Sequence, residues 1–237
     1  MFICLSMDGL SPFVAFAFVA IVLLTVVGFY LALRSRMFLL VTCTWIVVQT
    51  ALGLSGAFQN TAVLPPRIML LGMLPALILV GAFAFSGWGL RCAREIDLRW
   101  LTLCHSIRVF VELVLVALYH QGTMSVLVTF HGLNFDILTG ITAPVMAMLL
   151  FKDGKLTRSR YLFFWNVVCL LFLLAVITTA VLSTPSPLQR WSFDQPNIAI
   201  LYWPFCLLPA FVAPMMVGGH LLAIRSLWHR EITTEGR

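Results

Sequence analysis

Charge is scarce in this chain: Asp, Glu, Lys and Arg make up 10% of its 237 residues, whereas apolar side chains make up 61%. Water-soluble domains carry about 25% and roughly 45 to 50%, so a water-facing surface of ordinary size is excluded. Lysine is nearly missing, with Lys152 and Lys155 the only two. Both fall between apolar runs, which excludes a covalent retinal, whose Schiff base needs a lysine inside the last span. The six cysteines, Cys4, Cys43, Cys92, Cys104, Cys169 and Cys206, show no CxxC or other paired spacing. They form no zinc or dithiol motif, and buried apolar thiols are the expectation. HExxH, GxSxG, GxxxxGK[ST] and CxxCH strings are missing too. No arranged nucleophile, metal set or phosphate loop points to catalysis, so the reading leans away from an enzyme and assigns no catalytic residue.

Long apolar runs are what the chain has instead. Bounded by charge or by Pro/Gly/Asn clusters, they predict spans at 12–33, 37–58, 68–90, 100–119, 135–151, 161–182 and 197–227. Most are near the roughly 20 residues that cross a bilayer, and the last is long enough to tilt or kink. Helices are required, because hydrocarbon offers no partner to an unpaired backbone amide, and the runs lack the alternation of barrel strands. The expected fold is all-α, a polytopic transmembrane helical bundle of about seven spans in a single domain over 1–237. Residues 1–10 hold no basic side chain, and the apolar stretch after them is longer than the core of a cleaved signal. It is expected to stay as a span.

Basic residues orient this bundle. Arg34 and Arg36, then Arg91, Arg94 and Arg99, then Lys152, Lys155, Arg158 and Arg160, then Arg225, Arg230 and Arg237 lie in alternate connections and the tail. They are twelve of the fifteen basic residues, and only Arg67 and Arg190 lie on the opposite side. By the positive-inside rule the amino terminus faces out and the carboxyl terminus faces the cytoplasm. The net charge of +6 then reflects orientation and anionic head groups, so the lipid bilayer is the expected partner and nucleic acid is not. Trp100, Trp165, Trp191, Trp203 and Trp228 fall near predicted span ends, where amphipathic rings anchor in the head-group layer.

Against this apolar background, polar groups inside spans stand out. His105, Arg108 and Glu112 are spaced to share one face of the fourth helix. Counting about 1.5 Å per residue from Arg99 puts Arg108 roughly 13 Å deep, near the midplane. Arg there costs about 2.5 to 3.5 kcal/mol on insertion scales, so this face must point into the bundle. The plainer reading makes Arg108 and Glu112 an internal ion pair that fixes helix register; the functional one makes the stripe a ligand pocket or proton path. The segment TFHGLNFDILTGITAP, 129–144, places Asn134 and Asp136 at the outer mouth of the fifth span. Both serve as caps in the plainer reading, whereas in the functional one Asp136 is a second partner for Arg108. Gly140 and Pro144 are expected to break this helix, and Pro209 and Pro214 to bend the seventh. Leu74-Pro75-Ala76 recurs as Leu208-Pro209-Ala210, a match short enough to arise by chance. His105 with His220 and His120 with His131 form two pairs at two depths, which would suit axial ligation of haem b.

The strings IRVFVELVLVALYHQG, TFHGLNFDILTGITAP and FDQPNIAILYWPF resemble a group of bacterial seven-span membrane proteins of unassigned activity. The resemblance implies a multi-pass protein of the bacterial inner membrane. The leading expectation is that His105, Arg108, Glu112, Asn134 and Asp136 line a site for a small polar or anionic solute. Arg108 is its charge anchor, Glu112 and His105 are proton carriers, and the solute is transported with proton coupling. The alternatives are a sensor or assembly subunit, alone as a homo-oligomer or with a membrane partner, and a haem-binding redox protein.

Overall fold

The computed structural model describes residues 11–235, with side chains through His229. Cys4, the opening residues 1–10, Arg237 and the side chain of Arg230 lie outside the described residues. The chain is mostly helical: α1 (Pro12–Leu33), α2 (Arg36–Leu54), α3 (Leu74–Phe85), α4 (Gly87–Glu95), α5 (Leu98–Cys104), α6 (Ile107–His120), α7 (Asp136–Leu149), α8 (Ser159–Leu182) and α9 (Ala213–Glu235). A two-stranded hairpin pairs Phe151 with Leu156 and Lys152 with Lys155 between α7 and α8.

Among the described residues, six stretches are long and apolar enough to cross a membrane: Pro12–Leu33, Arg36–Leu54, Ile68–Phe85, Leu98–His120, Ser159–Leu182 and Leu208–His229. They match six of the predicted runs, with three differences in detail. The third run ends at Phe85, where the extended Ser86 turns the chain and caps α4 by accepting a hydrogen bond from Gly89 N–H. The fifth run yields only the 14-residue α7, about 21 Å of helix against a hydrocarbon core of about 30 Å. In the seventh run, the stretch from 197 to 207 forms short turns and a 3-10 segment, and long helical structure begins at Leu208.

Polarity is inverted relative to a soluble domain. Phe13 and Phe16 on α1, Leu40 and Val47 on α2, Ile78 on α3, Met148 on α7 and Phe164 on α8 are exposed, while Arg108, Glu112, Asn134, Asp136, Asn166 and His220 are buried. Such an outer face suits lipid rather than water. Helix α9 sits at the centre, packed against α3, α4 and α8, while α1 packs on α5 and α6. The Leu208–His229 stretch is 72% buried against 17% for α2, so α2 is peripheral.

Two prolines explain why a peripheral helix is held so specifically. Pro75 has no N–H to give the Leu71 carbonyl, and Pro214 none to give that of Ala210. Helix α2 satisfies both from one face: Gln49 Nε2 donates to Leu71 O at 3.0 Å and Trp45 Nε1 to Ala210 O at 2.8 Å. Each freed carbonyl lies in or beside a π-helical turn, Ile68–Met73 and Leu208–Val212. These turns pack together so closely that a Cβ on Gly72 would stand 3.0 Å from that of Ala210.

Candidate ligand site in the bundle interior

The fourth span is not a continuous α-helix. At His105 and Ser106 the ladder tightens to three-residue spacing, with Arg108 N–H donating to His105 O at 3.2 Å and Val109 N–H to Ser106 O at 3.1 Å. This divides α5 from α6 at the height of the polar stripe. The break expected at Gly140 and Pro144 does not occur, because α7 runs through both residues. Gly140 is a packing position instead: a Cβ there would lie 2.8 Å from Val109 Cγ2 and 2.9 Å from Val109 N. That absence of a side chain lets α7 approach α6. Pro209 does coincide with irregular helix, the π-helical turn, and Pro214 lies one residue into α9.

Close approach of α7 decides the partner of Arg108. Its guanidinium forms an ion pair with Asp136, through Nη1 and Oδ1, rather than with Glu112 one turn along its own helix. Glu112 is occupied elsewhere: Oε1 accepts from Phe130 N–H at 2.5 Å and Oε2 from Asn134 Nδ2 at 2.5 Å. Asn134 ties Glu112 to the first turn of α7, since its Oδ1 accepts from the backbone N–H of Asp136 at 2.9 Å. The first residue of α7 thus delivers a carboxylate for Arg108, and the segment before it delivers an amide for Glu112.

Behind Arg108 lies a second layer. Nη2 of Arg108 is 3.1 Å from His220 Nε2, and His220 Nδ1 is 2.8 Å from Asn166 Oδ1. A guanidinium only donates and an amide oxygen only accepts, so His220 is neutral with its proton on Nδ1. Asn166 is fixed in turn by donating from Nδ2 to Leu162 O at 2.8 Å. His105 stacks face to face on His220, with ring centroids 4.0 Å apart and planes within 9°. Trp165 meets both rings edge-on and donates to Thr142 Oγ1 at 2.9 Å, so this tryptophan is a core residue and not an interfacial anchor. His105 is fully buried and neither ring nitrogen has a hydrogen-bond partner; Arg108 Nε also lacks one.

These positions bear on each predicted residue. Arg108, Glu112, Asn134 and Asp136 come together, with His105 and His220 alongside. Stacked imidazoles in direct contact leave no space for a porphyrin between them, and both nitrogens of His220 are engaged, so this pair does not fit axial ligation of one haem. His120 and His131 are exposed, each against its own neighbour, Tyr119 and Phe130. Asn166 and Gln49 are the polar residues that motif reading passed over. Their signal was present: a lone amide within an apolar run must find a partner.

Next to this cluster is a partly open cavity of about 110 Å³. Arg108, Glu112, Asn134 and Asp136 belong to its polar lining, with Thr184, Ser186 and Asn197; Met69, Met73, Val111, Leu173, Ile177 and Met216 belong to the apolar wall. The connections close over it in order. Gln195 Nε2 donates to Tyr119 O at 2.8 Å and Met124 O at 2.7 Å, while Ser125 N–H donates to Asn197 Oδ1 at 2.9 Å.

The sequence profile of a family described as a domain of unknown function (DUF8737) matches residues 65–228. That interval contains every residue of the polar cluster. None of the curated proteins and none of the solved structures compared with the chain matches it.

Proposed function

The chain belongs to the DUF8737 family, and we propose that it is a solute-binding protein of the bacterial inner membrane that carries its solute across with proton coupling. In this reading α7 and the irregular segment before it complete a seventh crossing, with the amino terminus outside and the carboxyl terminus in the cytoplasm. The observation that carries the proposal is the mostly apolar cavity whose lining includes the ionisable Arg108, Glu112 and Asp136 together with Asn134. Ionisable groups inside a membrane bundle are costly, and those that occur face the interior, where they pair with one another or mark a path or site. Glu112 and His105 are the proton carriers, the first facing the cavity and the second holding two unpartnered nitrogens. Arg108 is a less direct anchor than the sequence expectation made it, because Asp136 already engages it.

The test is a thermal-shift screen of small solutes on purified protein, repeated on Ala180→Phe, which fills the cavity wall. A solute that stabilises the wild type and fails to stabilise the folded variant supports binding there. Equal stabilisation of both rejects the cavity as the site. A second reading, a sensor or assembly subunit with a purely structural cluster, is favoured by the pairing of Arg108 with Asp136 and His220. It predicts a partner that co-purifies stably and no solute-dependent shift.

A further inference from the structure

The charge balance of the cavity bears on what it holds, and the argument rests on the binding reading above. One guanidinium and two carboxylates reach the lining. Arg108 and Asp136 cancel in their ion pair. Glu112 is left with hydrogen bonds from two neutral groups, the Phe130 amide and the Asn134 side chain, and with no cation among the described residues. Neutral donors hold a carboxylate in place without cancelling its charge, and in the low dielectric of a bundle interior that charge persists only where a cation compensates it, a proton taking that place otherwise. His220 adds no compensating charge, because its Nε2 must accept from Arg108.

The rest of the wall is mostly apolar and deformable, and its other polar members, Thr184, Ser186 and Asn197, already hold hydrogen bonds within the protein. Met69, Met73, Met124 and Met216 contribute to it, and unbranched thioethers repack around ligands of different shape. An anion would face Glu112 while the available guanidinium is already paired. A strongly hydrated solute would give up water against walls that return no hydrogen bonds. We infer that the cavity takes a small monocation with an apolar body, an alkyl- or aryl-ammonium, with Glu112 as its counter-ion. A space of about 110 Å³, compared with the roughly 150 Å³ of an engineered cavity that binds benzene, limits the enclosed part to a few carbon atoms. The partly open side leaves room for the remainder.

The experiment uses phenyltrimethylammonium and its uncharged carbon isostere, tert-butylbenzene, on the full chain in neutral detergent. Free concentrations are fixed by equilibrium dialysis. The cation is expected to bind at least tenfold more tightly than the isostere, Glu112→Gln to remove that preference, and Ala180→Phe to weaken both probes. An isostere that binds the wild type as tightly as the cation overturns the charge assignment while leaving the cavity reading intact. So does benzenesulfonate binding more tightly than either. Two probes that bind neither the wild type nor Ala180→Phe overturn the assignment together with the reading beneath it. The wild-type comparison of cation and isostere decides the matter even where Glu112→Gln does not fold.

Discussion

Replacing Asp136 by Ala removes the carboxylate that, among the described residues, pairs with Arg108 and leaves a guanidinium that is 4% exposed. Breaking a buried ion pair by deleting one partner costs about 3 to 5 kcal/mol, because the remaining charge stays in a medium that solvates it poorly. The hydrogen bond from Arg108 to His220 survives and keeps the estimate near the lower end, about 3 kcal/mol. Removing both charges in Arg108→Met/Asp136→Ala eliminates the uncompensated charge, so the double variant should recover to within about 1 kcal/mol of wild type. The assay is reversible unfolding in mixed micelles of neutral detergent and SDS, followed by tryptophan fluorescence from the seven Trp residues. A double variant as unstable as the sum of the two single variants, or an Asp136→Ala cost below about 1 kcal/mol, would refute the reasoning.

Four further outcomes follow from other contacts. Gln49→Ala should cost about 1 to 3 kcal/mol by orphaning the Leu71 carbonyl, and Pro75→Ala should suppress that cost by restoring an N–H to it; a double-mutant cycle in the same unfolding assay measures the coupling. Gly140→Leu should destabilise by about 1 to 3 kcal/mol or block insertion, because α7 is forced off Val109; a fully stable variant would contradict the close approach. Asn134→Leu deprives Glu112 of its amide and Asp136 N–H of its acceptor, and should lower both unfolding stability and cation binding, the latter read by dialysis. Alkaline phosphatase and fluorescent-protein fusions should report the carboxyl terminus and the hairpin at Phe151–Lys152 as cytoplasmic and the connection at 183–196 as external; a hairpin and a 183–196 connection on the same side would contradict the orientation.

Much of the fold was legible from apolar run length, because a chain with so little charge has few ways to satisfy its backbone in lipid. The site was legible only in part. Helical periodicity placed His105, Arg108 and Glu112 on one face, yet same-face spacing says nothing about which carboxylate wins the guanidinium. Gly140 decided that by letting α7 approach Arg108 and bring Asp136 with it. Pro144 was expected to break α7 and does not, whereas the tightened ladder at His105 and Ser106 carries no proline or glycine and gave no signal. Pro75 and Pro214 each leave a carbonyl without its usual donor, but the partners Gln49 and Trp45 lie in a distant helix and became visible only once α2 was packed. Depth counting put His105 and His220 at one level, but their face-to-face stacking joins residues more than a hundred positions apart and depends on how α9 packs, which no local pattern gives.

The account stands on the cavity being a real binding space beside the ionic cluster. The direct measurement is thiol labelling of a single cysteine at Ala180, on the cavity wall, with Lys155→Cys in the exposed hairpin outside the spans as control, both in a background without other reactive thiols. A small cationic methanethiosulfonate reagent is expected to modify position 180, phenyltrimethylammonium to slow that modification but not the modification at 155, and labelled protein to lose cation binding. A position 180 cysteine that never reacts, or one that reacts while cation binding remains unchanged, would contradict the account.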